Sequence, residues 1–350
     1  MLTETQIKEI RSHLEASQNP LFFFDNDNDG LTSYLLLKRF LDRGKGVAAK
    51  GTPDLGEVYY RKVDELKPDK IFVLDVPGIS EEFLERAEQD NIPVVWIDHH
   101  DIPAPTNKNV SHYDPNHTNK TNEPVSYLCH KITNRPQDLW LAVIGCISDC
   151  YMPDFYNEFQ EKYPELTKPN PDSPFDVLFS TEIGRIARIL DFSLKDRTTN
   201  VMKMMRFMSK AKGPMDILEE NPNTRQILKR YNELNTKYQA ILKKARDQAE
   251  EEMIFFRYSG DVSLSSNLAN QISYEYPNKV IVVAYVRNDF TNLSIRGNFV
   301  DVREMTLKAI EKLEGARGGG HKHSTGARVN TEDLDKFKQS FEEMIEENKQ

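Results

Sequence analysis

Aspartates and histidines stand where apolar runs stop. Ile92-Pro93-Val94-Val95-Trp96-Ile97 runs into Asp98-His99-His100, and Leu21-Phe22-Phe23-Phe24 runs into Asp25-Asn26-Asp27-Asn28-Asp29-Gly30. Ile71-Phe72-Val73-Leu74 runs into Asp75, and the apolar run from Leu141 to Ser148 into Asp149. Short runs rich in β-branched and aromatic residues read as buried parallel strands. Strand ends converge along the carboxyl edge of an open α/β sheet, which is where such folds bind ligands. Bare carboxylates gathered there would repel one another, and some would be forced to take up protons. Divalent cations remove that conflict. A donor set of many oxygens and one or two nitrogens suits Mn²⁺ or Mg²⁺ better than a structural Zn²⁺. The carboxylates exceed the needs of one ion. They match a pair of ions about 3.5–4 Å apart, the arrangement that stabilises the attacking and leaving oxygens of a phosphoryl displacement.

Each segment also has a simpler reading. Asp25 to Gly30 resembles the start of an EF-hand loop, but Leu36 stands where the bidentate glutamate is required. The same segment reads as a turn followed by a helix N-cap, and Asp75 as a turn residue. A helical pattern over Gln137 to Tyr151 would put Asp149 near a helix end rather than a strand end, and both placements stay open. What argues against coincidence is the same design repeated in four places.

The elements that must position these residues alternate. Thr3 and Gln6 form a capping box for a helix from Thr3 to Ala16. A helix over Leu31 to Arg43 stops near Gly44. Strands are expected near 46–50, 70–75, 93–98 and 109–113, a helix over 80–90, and helices over Pro124 to Ile132 and Gln137 to Tyr151. Alternation of this kind predicts a mostly parallel sheet with helices on both faces. Met152 to Ser173 is polar and proline-rich and reads as a long loop or insertion, followed by helical pattern from Asp176 to Glu219. Met202, Met204, Met205, Phe207 and Met208 form an adaptable apolar surface that reads as core packing. Thr224 to Glu252 reads as one long helix. Its seam, Ile227, Tyr231, Leu234, Tyr238, Ile241 and Ala245, fits a spacer packed on one side or a homodimer contact. Beyond Met253, strands are expected at Val262 to Leu264, Lys279 to Val286 and Thr291 to Gly297, with a helix over Leu268 to Tyr276. Gly318-Gly319-Gly320-His321 reads as a loop whose backbone N–H groups can approach a phosphate, with Arg317, Lys322, His323 and Arg328 around it. No P-loop is present, since Gly44-Lys45-Gly46 lacks the spacing and the hydroxyl residue.

The 350 residues, 38% hydrophobic, can fill two domains. No stretch approaches 18 apolar residues and no signal-peptide pattern opens the chain, so a cytoplasmic protein without membrane contact is expected. Three cysteines, Cys129, Cys146 and Cys150, suit a reducing compartment, and Cys146 and Cys150, which share a face if their segment is helical, read as buried packing. A net charge of −9 disfavours a broad basic grip on long nucleic acid. It leaves nucleic-acid hydrolysis open, because bound cations reverse the sign of a site locally.

The ordered set Asp25-x-Asp27-x-Asp29-Gly30, Asp75, Asp98-His99-His100 and Gly145-x-x-x-Asp149 resembles the four motifs of the DHH phosphoesterases. Gly318-Gly319-Gly320-His321-x-x-x-x-Gly326 resembles the signature of the companion DHHA1 domain, and the likeness covers nearly the whole chain. It implies an α/β fold with three parts. These are a DHH catalytic domain over 1–152, an insertion and helical connector over 153–252, and a smaller DHHA1-like substrate domain over 253–350. It implies one divalent ion held by Asp25, Asp27 and Asp75 and another held by Asp29, Asp75, His99 and Asp149, with Mn²⁺ preferred. Many relatives carry histidine where Asp25 stands. His100 would touch the scissile phosphate or protonate the leaving group, and Asp98 would orient a histidine ring. Arg296, in Ser294-Ile295-Arg296, would meet substrate phosphate beside Gly318, Gly319, Gly320 and His321. The implied activity is that of a RecJ-like exonuclease on single-stranded DNA or RNA. The alternatives are a nanoRNase or cyclic-dinucleotide phosphodiesterase, and a structural subunit among replication or repair proteins.

Overall fold

The computed structural model describes residues 1–50, 55–248 and 253–347. Thr3 caps the first helix, α1 (Glu4–Ala16), and the reciprocal Thr3–Gln6 bonds of the capping box are both formed. Next come β1 (Pro20–Asp25), α2 (Asn28–Leu41), β2 (Lys45–Ala49), α3 (Tyr60–Leu66), β3 (Lys70–Leu74), α4 (Glu81–Gln89), β4 (Val94–Ile97) and β5 (Val110–Tyr113). Helices α5 (Pro115–Thr118), α6 (Val125–Thr133), α7 (Leu139–Ser148), α8 (Tyr156–Lys162), α9 (Pro174–Ser180), α10 (Glu182–Leu194), α11 (Thr198–Met208) and α12 (Arg225–Arg246) complete the first two-thirds of the chain. The chain divides into two units, Met1–Tyr231 and Asn232–Gln350.

The five strands of the first unit are all parallel, in the order β2-β1-β3-β4-β5. Both faces are covered, which is why the strands read as continuous apolar runs rather than alternating ones. Leu21, Phe23, Ile71, Val73, Val94 and Trp96 face Tyr60, Val63, Phe83 and Ala87 of α3 and α4. On the other face Phe22 stacks on Phe72, and Tyr34 of α2 lies against Phe22 and Phe24.

The second unit holds β6 (Met253–Tyr258), α13 (Ser265–Glu275), β7 (Val280–Val286), β8 (Phe290–Arg296), α14 (Val302–Ile310), β9 (Arg317–His321), β10 (Ser324–Asn330) and α15 (Leu334–Glu347). Its sheet runs β6-β7-β8-β10-β9, with only β6 and β7 parallel. Val282, Leu293, Ile295 and Val329 pack one face against Val302, Met305, Phe337 and Phe341 of α14 and α15. Helix α13 packs against β7 and β8.

Several expectations need correction. Met152 to Ser173 is not one loop: α8 forms there, with Phe159 fully buried and a 3₁₀ turn following at Pro164–Leu166. Val262 to Leu264 is not a strand, and β6 lies earlier, at Met253–Tyr258. The long helix is described to Arg246, and its expected end at Glu252 lies outside the described residues. Its seam buries Leu242 in place of Ile241; Tyr231 stacks on Phe192, and Tyr238 donates to Gln271. Cys150 lies beyond the end of α7 in a left-handed conformation and is exposed, while Cys129 and Cys146 are buried. Among the described residues no helix is long and apolar enough to cross a membrane.

Candidate metal centre

The parallel register aligns Phe24 with Leu74, and Leu74 with Ile97. One residue further on, each of these chains carries an aspartate: Asp25, Asp75 and Asp98. β5 lengthens the row, because Ile97 pairs with Tyr113 and Asp114 comes next. Four neighbouring strands therefore present carboxylates side by side at the carboxyl edge. The row spans the β1–β3 junction, where the strand order reverses and ligands of doubly wound sheets bind.

Helix α2 adds two more. Asp27 is its N-cap and accepts from Gly30 N at 2.9 Å, so the simple capping role is fulfilled as well. Gly30 lets the helix start close to the strand: a Cβ there would lie 2.7 Å from the backbone nitrogen of Asp25. Asp29, in the first turn, accepts from Val125 N at 2.8 Å and from Ser126 N at 2.9 Å. Those are the first two N–H groups of α6, so Asp29 also closes a helix N-terminus. Asp149 stands at the C-terminal end of α7, which decides for the helix end.

These side chains meet. Ligand atoms of Asp29, Asp75 and His99 lie within 4.8 Å of one another, and so do those of Asp25, Asp27 and Asp75. Asp75 belongs to both groups and is reached through a left-handed backbone turn, φ 60°. His99 Nε2 lies 3.4 Å from Asp75 Oδ1 and 3.7 Å from Asp149 Oδ2, with the ring 2% exposed. His100 Nδ1 lies 2.8 Å from Asp98 Oδ1, whose side chain is fully buried, and ligand atoms of Asp75, Asp98 and His100 lie within 4.8 Å of one another.

The electrostatics carry the mark of crowded anions. Burial, then the neighbouring charge of Asp27, pushes Asp25 up to about 7. Burial and Asp29 raise Asp27, with Asp191 of α10 adding to the effect. Burial and the charges of Asp29, Asp27 and Asp25 hold Asp75 well above the usual carboxylate range. Desolvation takes Asp149 to about 7 against the pull of His99, although its side chain keeps 37% of its surface open. Asp98 goes down instead: burial opposes ionisation, but the His100 bond and the charges of both histidines outweigh it. Burial works against a charged His100, and Asp98 overcomes it, raising the imidazole to about 9.

Two residues absent from the expected set belong here. Asp114 N-caps α5 through Asn116 N at 2.7 Å, and Asn116 Nδ2 donates to the carbonyl of His99 at 2.6 Å. The signal for Asp114 was the repeated pattern itself, a strand ending in aspartate. Asn116 left no sequence signal.

Arg296 and the glycine run belong to the second unit. Arg296 ends β8, and its guanidinium donates to Asn270 Oδ1 at 2.6 Å and to the carbonyls of Ile295 and Thr325 at 2.8 and 3.4 Å. The glycine run is a correction. Gly318, Gly319, Gly320 and His321 form the edge strand β9 rather than a loop, because β10 supplies a pairing partner along their whole length. Ser324 pairs with both Arg296 and His321, which puts those two side chains on one face across one row of the sheet. Gly320 has φ 138°, and a Cβ there would lie 2.7 Å from the carbonyl of Ser324.

Residues 21–147 match the DHH family, N-terminal domain, and residues 253–347 match the DHHA1 domain. The chain belongs to the DHH/DHHA1 phosphoesterases, hydrolases acting on phosphoester bonds. Three solved structures share its fold. A DHH domain described as a member of the s1p family of ribosomal proteins is 15% identical, over 97% of this chain and 89% of that one, with a TM-score of 0.68. RecJ of Thermus thermophilus in complex with Mn²⁺ is 17% identical, over 98% of this chain and 55% of that one, with a TM-score of 0.70. An exonuclease RecJ bound to manganese is 18% identical, over 98% and 94%, with a TM-score of 0.64. This chain thus spans about half the length of the Thermus protein. No curated protein sequence matches it.

Proposed function

We propose that the protein is a RecJ-like exonuclease that removes nucleotides from one end of single-stranded DNA or RNA with the help of two divalent cations, Mn²⁺ preferred. One observation carries the metal-dependent chemistry: Asp75 stands in two carboxylate clusters at once, one with Asp25 and Asp27, the other with Asp29 and His99. The residues fit divalent cations on chemical grounds. The donors are mostly hard oxygens with one imidazole, and burial together with mutual repulsion holds Asp25, Asp75 and Asp149 above the usual carboxylate range. Asp25, Asp27 and Asp75 would hold one ion, and Asp29, Asp75, His99 and Asp149 the other. Divalent cations bound there supply Lewis-acid activation of water and neutralise charge on the phosphoryl group.

The chain's own groups complete the reaction. His100, kept protonated by Asp98, lies beside the carboxylates and can donate a hydrogen bond to a phosphoryl oxygen or a proton to the departing oxygen. Asp98 holds that ring by its Nδ1. Arg296 and the exposed N–H groups of β9 would hold the end phosphate or terminal nucleotide. Similarity of fold to the two RecJ structures supports the exonuclease reading.

End-labelled DNA and RNA of several lengths, digested with Mn²⁺ and with Mg²⁺, test the proposal. Stepwise shortening of twenty-mers from one end is the expected result. Efficient cleavage of dimers with negligible action on long strands would replace the exonuclease with a short-oligonucleotide phosphodiesterase.

A further inference from the structure

Consecutive histidines at a strand end have a conformational problem. His99 must face Asp75 and Asp149, and His100 must face Asp98, yet one freely turning peptide unit joins them. That unit is held at both ends. Its carbonyl, from His99, accepts from Asn116 Nδ2 at 2.6 Å. Its N–H, from His100, donates to Asp98 Oδ2 at 3.3 Å. The two rings sit 4.8 Å apart at 65°, with His99 Nε2 near Asp75 and Asp149 and His100 Nδ1 near Asp98.

Asn116 is in turn fixed by its surroundings. Pro115 opens α5 at a position where the absent N–H costs nothing. Asp114 Oδ1 accepts from Asn116 N at 2.7 Å. Asp114 is buried and follows Tyr113, which pairs with Ile97 just before Asp98-His99-His100. Asp98 N donates to the Tyr113 carbonyl at 3.1 Å, so the β4–β5 ladder runs on by one bond up to the histidines. The single turn of α5 therefore acts as a bracket, seated on the fifth strand and reaching across to the carbonyl between the histidines.

We infer that Asn116 is a positioning residue for the metal centre: its amide locks the His99–His100 peptide plane, so that His99 addresses Asp75 and Asp149 while His100 keeps its bond to Asp98. The inference rests on the reading of His99 as a metal ligand. Groups that orient ligands in this way change metal affinity or activity by roughly 10–100-fold when removed.

The test measures Mn²⁺ binding to the purified protein without substrate, followed by the paramagnetic resonance of free Mn²⁺, together with kcat and KM. Asn116 is only partly buried, so Asn116→Ala should fold. Asn116→Ala should weaken one of the two Mn²⁺ sites by about 10–100-fold and lower kcat by a similar factor. KM for an oligonucleotide and the unfolding midpoint in chelator should hold. Asn116→Gln, which keeps the donor, should recover part of both losses. Wild-type Mn²⁺ affinity and kcat in Asn116→Ala would overturn the inference. So would losses that follow a lowered chelator midpoint and are not recovered by Gln. A wild-type protein that binds no Mn²⁺ would remove the metal reading and this inference with it. Wild-type binding with an indifferent Asn116→Ala would remove the inference alone.

Discussion

His99 Nε2 and Asp75 Oδ1 stand 3.4 Å apart, at the ends of neighbouring strands and almost out of reach of solvent. That is long for a good N–H···O bond. It is close to the spacing of two donors on one octahedral ion, roughly 3 Å when each sits about 2.0–2.1 Å from the metal. In the metal reading proposed above, the pair would serve as two donors to one ion.

Asp75→Asn should abolish hydrolysis and lower the metal content at both sites, because Asp75 is common to both clusters. Elemental analysis of the purified variant checks this. Two fully retained ions would sink the bridging assignment.

Asp29 and Asp75 should differ in what they do to the metal-free fold. Asp29→Ala leaves the buried N–H groups of Val125 and Ser126 without an acceptor, at about 1–3 kcal/mol each. Asp75→Asn relieves repulsion in the carboxylate row. Thermal unfolding in chelator should therefore show Asp29→Ala below wild type and Asp75→Asn above it. The reverse order would mean that the cluster is not electrostatically strained.

Stability without metal should fall as pH rises from 6.5 to 8. Asp25 and Asp149 have folded values of about 7, above those of the unfolded chain, so their stabilisation is greatest at low pH and disappears as pH passes through 7. His100, raised to about 9, acts in the same direction over this window. His112 and His130, lowered to about 4, have the opposite sign, but their loss falls below pH 6.5. Added Mn²⁺ should reverse the trend and release protons near pH 6.5. Unfolding scans with and without Mn²⁺, together with pH recording in weak buffer, read both effects; a metal-free midpoint that rises over the window contradicts the assignment.

His100→Gln should keep both metals and lose about 10²–10⁴-fold in kcat, the usual scale of a positioned proton donor. Metal analysis beside single-turnover kinetics separates the two properties. Unchanged turnover would reduce His100 to a partner of Asp98.

Arg296→Lys keeps the charge but breaks the fork to Asn270 and the Thr325 carbonyl. If Arg296 holds the end phosphate, binding should weaken by a contact of roughly 1.5–3 kcal/mol. Specificity constants for dimers and twenty-mers, measured on both proteins, show whether that contact serves short ligands, long ones or both. Equal constants for wild type and variant on all lengths would exclude Arg296 from binding.

The carboxylates Asp25, Asp75 and Asp98 were legible because each follows a run too apolar to be anything but buried strand. Asp114 was hidden by its own strand, Val110-Ser111-His112-Tyr113, which is half-exposed at the sheet edge and so carries polar residues. Asp149 hides its setting for another reason. A buried helix such as α7 is apolar all round and looks like a strand until its length is weighed. The glycine run misled through propensity: three glycines argue against a strand, but ladder bonds to β10 decide it. The contact of Asn116 with His99 depends on a single helical turn bending back over the sheet, and nothing in residue type announces that.

The last strand of the second sheet has a liability of its own. β9 is the edge strand of its sheet, and a sheet edge is a template on which another chain can add a strand and begin an aggregate. Proteins commonly blunt such edges with lysine, proline or a bulge. Here the blunting comes from Gly318, Gly319 and Gly320, whose poor tendency to hold extended structure makes docking by a foreign strand costly in entropy. The same glycines make the edge a weak seed for sheet extension. Replacing them with valine or threonine would give up that protection.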